Sequence, residues 1–304
     1  MKHIVIVPYF SEPEIDRYLR IADRLRQFGS QGVDYQFLLA ASPKIEPNDR
    51  LYQGFSDIAP CQHFQCPTRI FGYPQGPTAM FWDCMDHVAN EHDLQGGFSL
   101  WLESDMVPVK RDWLARLASE WSEANSPLIM GCYVPDVQKK RFFRRARLWI
   151  SEHINGGACY SNDFAHAMPL DAREGVFDTQ VYQFLKETGR VVNTRQIAFS
   201  TTQRLQRDAA RADRVLLHGF LQDKEAFVTA CLATDPDAAV PEEQPAWKTS
   251  LSEAGQKALI RFVIRGRRAM LGALLIEQDR LERQTPWRAP RPLTPRTAPA
   301  RKAA

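Results

Sequence analysis

Trp101-Leu102-Glu103-Ser104-Asp105-Met106-Val107-Pro108 is the stretch where an apolar run, Phe98 to Leu102, ends abruptly in two carboxylates that flank a single residue. A short apolar run bounded by turn signals reads as a buried strand of a parallel sheet, and Pro108 followed by Arg111 to Ser122 reads as a turn into a helix. On extended backbone, residues two apart point to the same side, so Glu103 and Asp105 share one. Paired acids at the end of a buried strand suit a hard divalent cation. The other reading is an ordinary strand-end turn, with Asp105 capping the next helix or its loop.

Working outward from this stretch, Lys2 to Val7 reads as a buried strand ending at Pro8-Tyr9. Glu14 to Phe28 carries helical apolar spacing at Ile15, Leu19, Ala22, Leu25 and Phe28, closed by Gly29. Tyr35 to Ala40 is a second buried strand, and a helix over Pro77 to Asn90 precedes Phe98 to Leu102. A β-α-β opening of this kind predicts an α/β sheet with parallel strands and right-handed crossovers. Ligands of such sheets sit at the carboxyl ends of the strands, the edge that holds Pro8-Tyr9 and Glu103-Ser104-Asp105. Beyond it come a strand at Leu128 to Tyr133, a basic stretch, and a segment Ile150 to Tyr160 centred on Asn155-Gly156-Gly157. Next are a helix from Asp178 to Thr188, an extended stretch Val191 to Ser200, a polar linker Thr201 to Asp213, and a strand Val215 to Leu217 leading into His218-Gly219.

The chain has 304 residues, 44% hydrophobic and 25% charged, an ordinary globular composition that excludes a disordered protein. The apolar runs fall short of the roughly 20 residues a membrane span needs. With no signal-peptide layout at the start, the expectation is a cytoplasmic protein. The six cysteines show no CxxC spacing and sit beside aromatic or aliphatic residues, the pattern of buried reduced thiols. Net charge is +3, unevenly spread: residues 250–304 hold twelve Lys or Arg against four Asp or Glu, a surplus of +8 that leaves the rest at −5. The expected organisation is a catalytic domain over 1–234, a Pro- and Glu-rich linker over 235–250, a helical segment over 251–284, and a disordered basic tail rich in proline over 285–304.

The order of landmarks resembles the nucleotide-sugar glycosyltransferases of the GT-A fold, family 2-like and divergent. Ile4 to Tyr9, Glu103-Ser104-Asp105, His153-Ile154-Asn155-Gly156-Gly157-Ala158, Phe177-Asp178 and Leu216-Leu217-His218-Gly219 follow one another as that family's landmarks do, across residues 3 to about 232. The resemblance implies a GT-A-like mixed sheet with a Rossmann-like N-terminal half, to which the chain adds a C-terminal amphipathic helix. It implies a divalent metal (Mn2+ or Mg2+) on Glu103, Asp105 and His218, and a nucleotide sugar as donor. That donor would be bound along Pro8, Tyr9, Glu103, Asp105, Asn155, Gly156 and Gly157. Glu103 departs from the pattern, standing where the family usually has an Asp, and the neutral Leu39-Ala40-Ala41-Ser42 lacks the acid that often holds the nucleobase.

Asp178 reads either as a helix N-cap or as the base that takes a proton from an acceptor hydroxyl, with Glu174 and Asp171 as competitors. Asn155-Gly156-Gly157-Ala158 reads either as a close approach of substrate to main-chain amides or as a bulge. Tyr73-Pro74-Gln75-Gly76-Pro77-Thr78 feeds a helix N-terminus whose amides face a donor or merely close a turn, and Asp83 is a further contact candidate. Lys139 to Arg147 packs six cations and two aromatics into one run, suited to a diphosphate, an anionic acceptor, acidic lipid headgroups or simple solvation. It lacks a recognisable RNA-binding motif, so no nucleic acid is expected. From Leu259 to Leu281 an apolar stripe opposes Arg261, Arg265, Arg268 and Arg283, which either covers the domain or a second subunit or lies on an anionic membrane.

The expected activity is transfer of a sugar from a nucleoside diphosphate to a glycan, lipid-linked or protein acceptor, in the cytoplasm or peripherally at the inner face of the membrane. The alternatives are a nucleotidyltransferase acting on a sugar phosphate, and a noncatalytic scaffold that binds a membrane or partner. Pro8-Tyr9-Phe10-Ser11-Glu12-Pro13 lacks the Gly-rich basic loop that usually follows the first strand of nucleotidyltransferases.

Overall fold

A computed structural model describes residues 2–90, 96–134, 152–219 and 223–237. The basic run Lys139 to Arg147, the helical stripe from Leu259 and the basic tail lie outside the described residues, as does all but the start of the linker.

The N-terminal half is built from β1 (His3–Tyr9), α1 (Glu12–Phe28), β2 (Tyr35–Ala41), α2 (Asp49–Ser56), β3 (Cys61–Gln65), α3 (Gln75–Ala89), β4 (Phe98–Trp101), β5 (Met106–Pro108) and α4 (Trp113–Glu123). The rest comprises β6 (Ile129–Gly131), β7 (Tyr133–Val134), β8 (His153–Ile154), β9 (Cys159–Ser161), α5 (Phe164–Ala167), a 3-10 turn (Leu170–Arg173) and α6 (Phe177–Leu185). It continues with β10 (Val191–Asn193), β11 (Ile197–Ser200), α7 (Leu205–Ala210), β12 (Leu216–Gly219) and α8 (Lys224–Leu232). Seven strands form one sheet in the order β10-β6-β9-β4-β1-β2-β3. β1 runs parallel to β2 and β4, β2 to β3, and β6 to β10, while β9 is antiparallel to both β4 and β6. The sheet is therefore mixed.

Alternation along the strands builds the two cores. Val5, Val7, Phe37, Leu39, Phe98 and Leu100 face one side and pack on α1, α2 and α4, whereas Ile4, Ile6, Leu38, Ala40 and Trp101 face the other and pack on α3, α5 and α6. Burial on both faces explains why β1 and β2 read as continuous apolar runs. Of the six free cysteines, five are buried.

Three local expectations change. Met106–Pro108, ahead of the expected turn into α4, is itself a strand: β5 leaves the large sheet and pairs antiparallel with β12, which lies parallel to β11. The extended stretch Val191 to Ser200 divides between two sheets, as β10 and β11. The polar segment after it contains α7, whose Asp208 is fully buried and accepts from Ser200 Oγ at 2.8 Å, with Arg214 Nη1 at 3.3 Å. A buried charge with a partner looks, in sequence, like a solvated one.

Candidate metal and donor site

All parallel strands of the N-terminal half end on one edge, and the turn after β4 rises there. Tyr18 of α1 bolts two of those ends together, its buried hydroxyl contacting Leu102 O at 2.8 Å and Pro8 O at 3.0 Å. β9 runs the other way, so its entry, Asn155 to Ala158, reaches the same edge from the opposite direction. β5 carries the chain from Asp105 to its pairing with β12, and His218 pairs with Met106. That register sets an imidazole over two carboxylates.

His218 Nε2 lies 3.3 Å from Asp105 Oδ1 and 3.4 Å from Glu103 Oε2. One ligand atom from each of the three residues falls within 4.8 Å of the others. Asp105 and His218 are buried, Glu103 is partly exposed, and the His218 ring stacks on Phe199. Burial alone would push the Asp105 carboxyl up, but the charge and hydrogen bond of His218, and then those of Lys224, hold it well below the usual carboxylate range. Burial would likewise lower His218, yet Asp105 and Glu103 outweigh it and raise the imidazole to about 9. Two carboxylate oxygens and one imidazole nitrogen, compact and negative, are a donor set that fits Mn2+ or Mg2+. Asp105 is thus engaged by side chains rather than capping a helix. The N-cap of α4 is Asp112.

Asp178 stands in the first turn of α6, where the helix dipole favours an acid. It is not the N-cap, which is Val176. Its Oδ1 accepts from the adjacent Thr179 N–H at 2.7 Å, and its Oδ2 lies 3.9 Å from His153 Nε2. Burial raises the Asp178 carboxyl above its ordinary value, His153 and Thr179 pull against that, and the Glu103 charge adds to it.

The glycines of the β9 entry serve a close approach of protein to protein. A Cβ on Gly156 would lie 2.8 Å from Phe177 Cζ and 3.2 Å from Glu103 Oε1, and one on Gly157 would run into Met106 Sδ. Asn155 Oδ1 accepts from Gly157 N–H at 3.0 Å, holding the turn. The lack of side chains at these glycines lets the segment press against Glu103 and Met106.

Two further placements differ from the expectation. The Tyr9 ring is fully buried and its hydroxyl accepts from Asn48 N–H at 3.1 Å, so the exposed ring at the end of β1 is Phe10, 52% exposed. Asp83 holds the loop before α3, accepting from Thr68 N–H at 3.0 Å and Thr68 Oγ1 at 2.6 Å. Sequence reasoning also missed Lys224, whose Nζ donates to Asp105 Oδ1 at 3.1 Å. An isolated lysine at a helix start gives no signal of that kind.

Among the described residues, a seven-stranded mixed sheet with one reversed strand beside β4, and an acidic turn at the carboxyl end of β4, are consistent with a GT-A-like fold. The chain is similar in path to the galactosyltransferase LgtC in complex with donor and acceptor sugar analogs, at 11% identity over 83% of this chain and 100% of that one, TM-score 0.45. It is similar to 4-diphosphocytidyl-2C-methyl-D-erythritol synthase at 11% identity, over 77% of this chain and 98% of that one, TM-score 0.45. It is also similar to S. aureus TarS 1–349 in complex with UDP at 10% identity, over 77% of this chain and 64% of that one, TM-score 0.43. No protein-family model matches the sequence, and no curated protein does. Among the described residues no helix is long and apolar enough to cross a membrane.

Proposed function

We propose that the chain is a metal-dependent glycosyltransferase that moves a sugar from a nucleoside-diphosphate donor to a glycan, lipid-linked or protein acceptor. The observation that carries this reading is the convergence of Glu103, Asp105 and His218 on one point at the strand-end edge of a GT-A-like sheet. Glu103 and Asp105 would hold the ion through oxygen and His218 through Nε2. When bound, a Mn2+ or Mg2+ ion supplies positive charge that stabilises the departing nucleoside diphosphate. Phe10 offers the exposed aromatic face at the end of β1, suited to stacking a nucleobase.

The acceptor would approach from the α6 side. A carboxylate whose affinity for a proton is raised by burial is a better proton acceptor, and Asp178 is of this kind. In an inverting reaction Asp178 takes the proton of the attacking hydroxyl. The reading is tested by titrating UDP and GDP into the protein with and without MnCl2. Expected is nucleotide binding that needs manganese and is abolished in Asp105→Ala. A well-folded wild type that binds neither manganese nor nucleotide would sink it, and turnover of a sugar 1-phosphate with a nucleoside triphosphate would replace it with nucleotidyl transfer.

A further inference from the structure

Two cationic side chains compete for one oxygen at the centre of the site. Asp105 Oδ1 lies 3.1 Å from Lys224 Nζ and 3.3 Å from His218 Nε2. The three groups differ in freedom. Asp105 and His218 are almost wholly enclosed, with side chains 4% and 7% exposed, whereas the Lys224 side chain is 47% exposed. Its backbone is nevertheless fixed, because Lys224 is the first residue of α8 and the preceding Asp223 caps that helix, accepting from the N–H groups of Glu225 and Ala226 at 2.9 and 3.2 Å. The lysine is therefore anchored at its root, with its tip hydrogen-bonded to Asp105 and open to solvent on one side.

Charge balance decides what such a lysine does. Asp105 is enclosed and Glu103 partly exposed, so with no metal there the Asp105 charge needs compensation, which the Lys224 ammonium supplies alongside His218. A divalent cation neutralises both carboxylates, so an ammonium still touching Oδ1 would leave an excess positive charge beside the ion and occupy the oxygen the ion needs.

We propose that Lys224 is a resident counter-cation of this site: it holds the cation position on Asp105 Oδ1, and a divalent ion binding to Glu103, Asp105 and His218 expels its ammonium into solvent. Metal affinity is thereby set by direct competition with a side chain of the same protein. Binding of the ion would break the Lys224–Asp105 pair and the His218 contacts with Asp105 and Glu103, form metal–oxygen bonds to both carboxylates and a metal–nitrogen bond to His218 Nε2, and release that nitrogen's proton to solvent, while the ammonium keeps its own. This inference rests on the metal-site reading above and adds the residue that regulates it.

The test is calorimetric titration of MnCl2 alone, without nucleotide, into the full chain, with unbound Mn2+ counted in parallel by its paramagnetic resonance. Wild type is compared with Lys224→Met, Lys224→Gln and Lys224→Arg, each first shown by thermal unfolding to be folded. Both uncharged variants are expected to bind Mn2+ up to about fivefold more tightly, the scale of a half-exposed ion pair. Lys224→Arg, which keeps the charge, returns toward wild type. Binding seen only in the uncharged variants supports the proposal in its strongest form. Equal or weaker binding in Lys224→Met and Lys224→Gln overturns it while leaving the metal site standing, and no Mn2+ binding in any folded variant overturns both.

Discussion

His153 Nε2 stands 3.9 Å from Asp178 Oδ2, so the strand β8 delivers an imidazole to the acid that opens α6. Burial raises that carboxyl and His153 is the foremost group opposing the rise. Replacing His153 by Gln removes the opposition. The acidic limb of the pH profile for donor turnover is then expected to move to higher pH. An unmoved limb, with only the maximal rate lowered, would show that His153 acts on the fold and not on Asp178.

Metal-free stability should fall in mildly alkaline solution. His218 has a folded pKa raised to about 9, above the ordinary histidine value, so its contribution is complete below about pH 6.5 and is lost as pH rises through about 9. The loss amounts to about 3 kcal/mol at most. Asp105, whose folded pKa is lowered, contributes above its ordinary value near pH 4 and loses that contribution on acidification. Urea unfolding of the EDTA-treated protein across pH 6 to about 9.5 checks the alkaline arm, which His218→Gln should flatten. Manganese affinity should move oppositely, rising with pH as the imidazole gives up its proton.

Gly156→Ala should disturb both stability and metal binding. The new methyl group meets Phe177 Cζ at 2.8 Å and Glu103 Oε1 at 3.2 Å, and Phe177 is itself stacked on Phe81 with centroids 4.0 Å apart. Both neighbours must give: Phe177 against its stacked partner, and the Glu103 carboxylate by a few tenths of an ångström. Overpacking of this sort costs about 1–3 kcal/mol, read from chemical unfolding, and should be accompanied by weaker manganese binding. A variant as stable as wild type with unchanged metal affinity would contradict the packing role assigned to this glycine.

Asp208→Ala should be among the more destabilising single changes. The carboxylate is fully buried between Ser200 and Arg214, itself 2% exposed, and its removal strips a counter-charge from a buried guanidinium at a cost of about 3–5 kcal/mol. Because Ser200 ends β11, which pairs with β12, the loss should also loosen His218. Denaturant midpoints measure the first effect and manganese titration the second.

How much was legible in the sequence varies residue by residue. Glu103 and Asp105 could be found because they interrupt an apolar strand, and His218 because it follows another short strand before a glycine. Asp178 could be found because acids favour a helix start, although its capping reading fails: the carboxylate binds its own neighbour and faces His153. Where the Tyr9 ring goes was not read from the sequence: alternation sends it into the core and leaves the Phe10 ring outside. The helix hidden in the polar segment after β11 escaped because Asp208 and Arg214 neutralise one another in the interior, a pairing that polarity alone conceals.

The sequence by itself determined the α/β class, the parallel opening and the acidic turn at a strand end, because those signals act over a few residues through alternation, helical spacing and backbone punctuation. Tertiary structure alone decided that β9 reverses, that Met106–Pro108 pairs with β12, and that Lys224 meets Asp105 across 119 positions of chain. The reason is physical. Local preferences set which backbone each segment adopts, but which segments become neighbours depends on burying both faces of one sheet at once. That global condition is what gathers two acids, an imidazole and an ammonium around a single oxygen.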